Sequence, residues 1–505
     1  MKRILIFGAG KSSTYLIEYL SKFLRSNDWL LLVADANLAQ AQTKLQGLPN
    51  TEAISVDVTS IDQRKSLIQS ADIVISLLPP TLHYLVAIDC VEFKKNLLTA
   101  SYIDNNIKAL SKQIEDNQLL FLCEMGLDPG IDHMSAVRLI HQIRSQGGTI
   151  HSFRSHCGGL VSPQSDDNPW HYKISWNPRN IVLAGKAGAH SKENGQIKHY
   201  LYEDLFDANR VVEIPALGYL AWYPNRDSLS YARLYEIEDA HTFIRTTLRD
   251  PEFCFGWKNI IDLKLTDETV RYDTDGMTLQ QFFQLHFNQN GFSDWIEKQL
   301  TTRFAQTKSL LEKLQELLAA EEEVDEEKKS ELQDFMMVDN AGELMDINID
   351  EVKNKAAATV AGQMHEANLS LKQLFFLGMD DDATFINKGK CSAADVLQFS
   401  LEQKLGLKPE DKDMIVMMHE LEYSVEGKSH FLNSSLIFQG EDNLRTAMAK
   451  TVGLPLGIAT RLILEGKINL TGLHIPILPE IYNPVMKELE EYGIHFQESN
   501  PYHEQ

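Results

Sequence analysis

Residues 8–13 read Gly8-Ala9-Gly10-Lys11-Ser12-Ser13, directly after a short apolar run and at the opening of a helical segment. In a dinucleotide site the first glycine makes the tight turn, and the second lets the backbone approach a pyrophosphate. The third position permits close helix–strand packing, and the helix amino terminus faces the phosphates. Ser13 holds that third position here. Serine is small enough to pack, and its hydroxyl can cap the helix or touch a phosphate. Such a motif alone is weak; its place between a strand and a helix in a βαβ series makes it specific. Asp35 ends the second strand, where a carboxylate accepts hydrogen bonds from ribose hydroxyls and repels a 2′-phosphate. No arginine lies within residues 34–40, so NAD is expected in preference to NADP. Asn37 is expected to be exposed.

These residues need a frame, and the first 130 residues supply one. Strand-like runs at 3–7, 29–35, 53–58, 72–78, 96–102 and 119–125 alternate with helical segments at 15–24, 38–45, 61–69, 81–93 and 107–118. That alternation implies βαβ units and a parallel sheet. Ligands lie at the carboxyl ends of parallel strands, so Asp57-Val58, Leu77-Leu78-Pro79-Pro80 and Thr99-Ala100-Ser101-Tyr102 are expected to border the cofactor. The two prolines should stop the fourth strand, because neither has an amide hydrogen for a ladder. From about residue 150 the texture changes. Strand-like stretches at 149–156, 195–202 and 259–266 are broken by loops carrying Pro163, Pro169, Pro178 and Pro224. This pattern predicts a second, α+β domain that supplies substrate contacts. Residues 280–385 read as mostly helical and charged, with Leu310, Leu311, Leu314, Leu317 and Leu318 as one buried helix face. Residues 415–423 and 429–439 read as strands, and 443–465 as a helix pair.

Bulk composition narrows the function. The 505 residues exceed what one core serves, so several domains are expected. A formal charge of −23 argues against non-specific binding to nucleic acid or anionic lipid. There is no run of 18 apolar residues and no secretory leader, so no membrane span and a cytoplasmic location are expected. The five cysteines (Cys90, Cys123, Cys157, Cys254, Cys391) are widely spaced, which gives no disulfide framework and no metal pattern.

A second set of motifs resembles the saccharopine dehydrogenase family. They are Gly126-Leu127-Asp128-Pro129-Gly130-Ile131-Asp132-His133, Thr99-Ala100-Ser101-Tyr102, Ser155-His156-Cys157-Gly158-Gly159 and Tyr223-Pro224-Asn225-Arg226-Asp227-Ser228. Tyr172-Lys173-Ile174-Ser175-Trp176, Arg245-Thr246-Thr247-Leu248-Arg249 and 447–455 extend the likeness through nearly the whole chain. It implies a Rossmann-type, doubly wound α/β domain of residues 1–130 and 440–505, made discontinuous by the C-terminal segment. An α+β substrate and dimerisation domain of 131–280 and 386–439, and a charged helical region of 281–385, would follow. The implied reaction is oxidation of saccharopine to glutamate and 2-aminoadipate 6-semialdehyde with NAD or NADP, by a homodimer. Reduction with NADP in the biosynthetic direction, or a related carboxylated-polyamine dehydrogenase, is the alternative.

The resemblance places Tyr102, Asp128 and Cys157 against the substrate: Asp128 and Cys157 as proton carriers or water-holders, Tyr102 as an orienting hydroxyl. It adds Ser101, Arg226, Arg245, Thr246 and Thr247 as substrate contacts, with Arg249 weaker, because three carboxylates call for guanidinium partners. Gly8, Gly10, Lys11, Ser12, Ser13, Asp35, Asp57, Val58, Thr99, Ser101, Leu127, Asp128 and Pro129 are the expected cofactor contacts. His133 and His156 are expected to be structural.

Overall fold

The computed structural model describes residues 1–297, 335–338, 344–347 and 365–500. The leucine stripe Leu310 to Leu318 and the acidic run 321–327 lie outside the described residues.

Runs of three to seven residues, mostly apolar and buried except in β3, make the strands β1 (Lys2–Phe7), β2 (Trp29–Asp35), β3 (Thr51–Ser55), β4 (Ile73–Ser76), β5 (Asn96–Thr99) and β6 (Leu120–Leu122). They form one parallel sheet in the order β3-β2-β1-β4-β5-β6, and Gly472–His474 adds a seventh parallel strand beside β6. The order reverses between β1 and β4, which opens the ligand crevice of a doubly wound sheet there. The C-terminal segment is therefore part of this layer. Its helix Ala447–Leu464 is one continuous helix rather than the expected pair, with Pro455 inside it. Close approach at Gly453 fits it against the first helix, Ser13–Ser21: a Cβ on Gly453 would stand 2.8 Å from the Leu16 amide nitrogen. Arg461 binds Tyr19, Glu465 and Glu488, tying this helix to both neighbours.

A second, mixed sheet carries β7 (Thr149–Val161), β8 (Ala189–Glu193), β9 (Gln196–Tyr200), β10 (Val211–Ile214), β11 (Gly218–Pro224) and β12 (Thr242–Arg249). Asp413–Val425, Lys428–Gln439 and Gln497–Ser499 complete it, in the order β10-β11-β12-β7 and then these three, with β8 and β9 flanking β12. Only β7 and β12 run parallel; each other pair is antiparallel. The strand expected at 259–266 is instead the end of a helix, Pro251–Asp262. Phe253, Trp257, Ile260 and Ile261 recur at helical spacing and are buried together, and Pro251 opens the helix.

By compactness the chain divides at different points from those expected. One unit comprises Met1–Asp167, His171–Cys254 and Leu405–Gln505, so it contains both sheets; the other comprises Asn168–Trp170 and Phe255–Lys404. The second unit is not purely helical: Val270–Asp273 pairs with Lys390–Ser392, and Phe335–Val338 pairs with Leu344–Ile347.

Gly453→Ala forces the first helix away from its partner. A loss of about 1–3 kcal/mol is expected from such overpacking, read as a lower thermal midpoint; an unchanged midpoint would show that the helices can slide apart freely.

Candidate active site

Gly8 has φ +104, and a Cβ there would lie 3.0 Å from the Leu77 carbonyl oxygen, so only glycine makes this turn. A Cβ on Gly10 would meet nothing within 4 Å, so the space beside the turn is open. An open, glycine-lined turn at the switch point of a parallel sheet fits a dinucleotide diphosphate. Other expected cofactor contacts are used differently. The buried Ser13 hydroxyl donates to the Gly10 carbonyl at 2.9 Å, so it braces the turn instead of facing a ligand. Lys11 Nζ donates to the Ile174 carbonyl at 3.0 Å. Ser12, at the N-cap, makes no side-chain cap bond. Asp35 accepts the Ala9 amide at 2.6 Å through one oxygen and the Asn37 amide at 2.7 Å through the other, fixing the turn against the end of β2. Asn37 caps the next helix by accepting from the Gln40 amide.

Asp57 is exposed and folds back on Thr59, whose hydrogen bonds hold its carboxyl below the usual range. The Val58 carbonyl accepts from Arg64, which is itself paired with Asp89. Both residues brace the chain after β3. Thr99 is buried, and Ser101 joins a chain absent from the expected set: Ser76 Oγ to His83 Nδ1 at 2.8 Å, then His83 Nε2 to Ser101 Oγ at 2.8 Å. Burial brings His83 down to about 4, so the ring is neutral and orients two hydroxyls. The signal for it was the single histidine in the helix after Pro79-Pro80.

Leu127 and Pro129 close the turn after β6 through their carbonyls, which accept from the Asp132 and Gly126 amides. Between them Asp128 enters a tight group. Its Oδ1 accepts from Tyr102 Oη at 2.8 Å and from Arg245 Nη2 at 2.7 Å. Arg245 Nη2 also reaches Asp132 Oδ2 at 2.7 Å, and Asn225 Nδ2 approaches Asp128 Oδ2 at 3.3 Å. Behind them His133 donates or accepts at Tyr235 and Glu124, and Tyr231 donates to Glu124. His156 bonds Thr246 and Glu420. Both histidines are thus saturated structural groups.

One guanidinium between two buried carboxylates separates their proton affinities. Burial, aided by the Asp132 charge, holds Asp128 above the usual carboxyl range despite Arg245. Burial also opposes ionisation of Asp132, but His133 and Arg245 outweigh it and hold that carboxyl below the usual range. Two carboxylates driven apart in this way differ in proton affinity: Asp132 favours its ionised form, and Asp128 holds a proton more tightly. Burial keeps the Tyr102 phenol and the Cys157 thiol protonated, with Asp128 and Asp132 adding to the effect on Cys157. Cys157 is therefore a neutral donor at ordinary pH, not a thiolate.

Strand alternation sorts the expected substrate contacts. On β12, Arg245, Thr247 and Arg249 share one face, and Thr246 turns to the other, where it bonds His156. Arg245 is already balanced by two carboxylates of its own chain. Arg249 is not. It is buried, lies over the rings of Tyr172 at 5.1 Å and Phe253 at 5.6 Å, leaves Nε without a hydrogen bond, and has no carboxylate partner among the described residues. The exposed Arg226 also lacks one among the described residues, and lies 5.0 Å over the Tyr102 ring. The residue ranked weakest by sequence is the buried cation with spare capacity. The i, i+2, i+4 spacing of Arg245, Thr247 and Arg249 was the signal that could have found it.

Comparison with known proteins agrees with this geometry. Residues 4–122 match the saccharopine dehydrogenase NADP binding domain, and residues 126–494 match the saccharopine dehydrogenase C-terminal domain. The chain belongs to the saccharopine dehydrogenase family. It is 30% identical to the saccharopine dehydrogenase [NADP(+), L-glutamate-forming] of Saccharomyces cerevisiae, over 98% of this chain and 99% of that one. It is also 30% identical to an alpha-aminoadipic semialdehyde synthase of Arabidopsis thaliana, over 98% of this chain but 44% of that protein, so it spans under half of that relative. The solved structure of the apo L-Glu-forming saccharopine dehydrogenase from S. cerevisiae aligns over 99% of both chains, at TM-score 0.73 and 28% identity.

Acid should destabilise this fold through its neutral histidines. Burial lowers His83 to about 4 and His419 to about 3, whereas the unfolded chain protonates both near 6.5. The unfolded state then binds more protons, so stability present above pH 6.5 is lost as pH falls through that value toward 4. The thermal midpoint is expected to drop across that window and to drop less in His83→Asn; a midpoint flat from 6.5 to 4.5 would contradict the assignment.

Proposed function

We propose that this chain oxidises saccharopine, with water, to glutamate and 2-aminoadipate 6-semialdehyde. The observation that carries this reading is a buried guanidinium, Arg249, with no carboxylate partner among the described residues, on the same strand face as the Arg245–Asp128–Tyr102 group. Saccharopine is a secondary amine with three carboxylates. Arg249 and Arg226 provide cationic partners for the carboxylates, and the raised proton affinity of Asp128 suits it to take the amine proton. A nicotinamide dinucleotide held at the Gly8–Gly10 turn would supply the acceptor for hydride from the carbon beside the amine nitrogen. Asp128 takes the amine proton before that step and exchanges protons again as water adds and the carbinolamine opens. Tyr102, whose hydroxyl donates to Asp128, orients that carboxyl, and the Cys157 thiol donates a hydrogen bond that orients substrate or water. Cationic anchors of this kind disfavour a polyamine substrate. A homodimer belongs to the same reading.

NAD is proposed as the dinucleotide. The comparisons do not support that preference, since the matched domain is described as NADP binding and the yeast relative is named for NADP(+). Its support is local: Asp35 ends β2, and Ala36 and Asn37 follow it where a cation would be needed for a 2′-phosphate.

Purified protein is expected to reduce NAD when given saccharopine, read as absorbance of the reduced nicotinamide; silence with both NAD and NADP would defeat the proposal. Arg249→Gln should raise KM for saccharopine by about 10–100-fold, the worth of a charged hydrogen bond, with NADH affinity unchanged. Equal loss of both would make Arg249 structural. Arg245→Met should instead cost about 3–5 kcal/mol of stability, because two buried carboxylates lose their common cation. Asp35→Ser should raise kcat/KM for NADP relative to NAD; an unmoved ratio would show that another residue reads the ribose.

A further inference from the structure

Lys44 belongs to the last turn of the helix Leu38–Leu45, away from every motif the sequence offered. Its ammonium donates to three acceptors, all in or beside the glycine turn: the Gly10 carbonyl at 2.5 Å, Ser13 Oγ at 2.9 Å and Thr14 Oγ1 at 2.9 Å. Three acceptors saturate an ammonium. Ser13 and Thr14 pass the contact on, donating in turn to the Gly10 and Lys11 carbonyls. One cation therefore gathers the carbonyl side of the turn, while Asp35 holds the Ala9 amide from the other side. Lys44 forms no ion pair among the described residues, although the charges of Asp35 on β2 and Glu18 on the first helix reach it. The third neighbouring element, β3, carries only the exposed Glu52.

We propose that Lys44 is a positioning and affinity residue of the dinucleotide site, clamping the glycine turn in its binding shape and supplying a positive charge that an anionic diphosphate balances. The inference rests on the reading of this turn as the dinucleotide site. It assigns Lys44 the bracing that a third glycine gives by close packing in other such turns. Burial lowers the ammonium to about 8, despite Asp35 and Glu18. A diphosphate favours the charged form, so binding weakens as pH rises through that value.

The test is NADH and NADPH binding, followed by nicotinamide fluorescence from pH 6.5 to 9.5, in the full chain and in Lys44→Met and Lys44→Arg. For the wild type, Kd for the preferred dinucleotide is expected to rise about tenfold across this range. Lys44→Met should bind about tenfold more weakly at pH 7 and show no further rise. Lys44→Arg should bind tightly with a flat profile, since arginine keeps its charge. An unchanged Kd in Lys44→Met, or a wild-type pH slope in either variant, overturns the proposal. If thermal melting shows Lys44→Met unfolded, the slope of Lys44→Arg decides. A wild type that binds neither dinucleotide overturns the reading of the turn and this assignment with it; failure of Lys44 alone leaves wild-type binding intact.

Discussion

The buried guanidinium of Arg245, shared by Asp128 and Asp132, is the interaction on which the site depends. Three charges taken out of water are costly unless they neutralise one another at short range. Here β12 delivers the cation, and the turn after β6 delivers one anion directly and the other from the first turn of the helix Ile131–Ser145. The two sheets therefore meet at an electrostatic contact, and Tyr102 at the end of β5 is drawn to the same point. Because His133 and the Gly130 amide favour the charge on Asp132, and that charge opposes one on Asp128, the first carboxyl is held low and the second keeps a raised proton affinity.

Around that contact the polar groups divide into those that are satisfied and those that are not. His133, His156, Glu124 and Thr246 spend their hydrogen bonds inside the protein and fix the backbone positions of their neighbours. Arg249 has aromatic walls and no carboxylate partner among the described residues. A buried cation without a counter-charge is destabilising in isolation, and the rings of Tyr172 and Phe253 offset part of that cost. The cofactor turn follows a parallel logic. Asp35 holds its amide side in place from β2, and Lys44 holds its carbonyl side from the following helix.

Local chemistry explains which parts of the fold could be read in advance. Short doubly buried strands alternating with helices leave an unambiguous period, and the six N-terminal strands are found close to their expected places. Boundaries drifted because strand ends such as 100–102 leave the ladder to form the site. The 259–266 stretch reads as a strand yet begins inside the helix Pro251–Asp262, because its apolar residues suit a buried strand as well as a helix face, and only packing separates the two. The break at Cys254 and Lys404 follows contacts between distant segments, which composition does not record.

By itself the sequence determined the glycine turn, the parallel layer and the set of residue types gathered for chemistry, because these follow from backbone sterics and hydrophobic period. Tertiary structure alone decided which arginine is already paired and which is available, and that Ser13 and Lys11 brace the turn. It also revealed Lys44 and His83 as parts of the site. Those outcomes depend on distances between residues far apart in the chain, and no local spacing encodes a distance closed by folding.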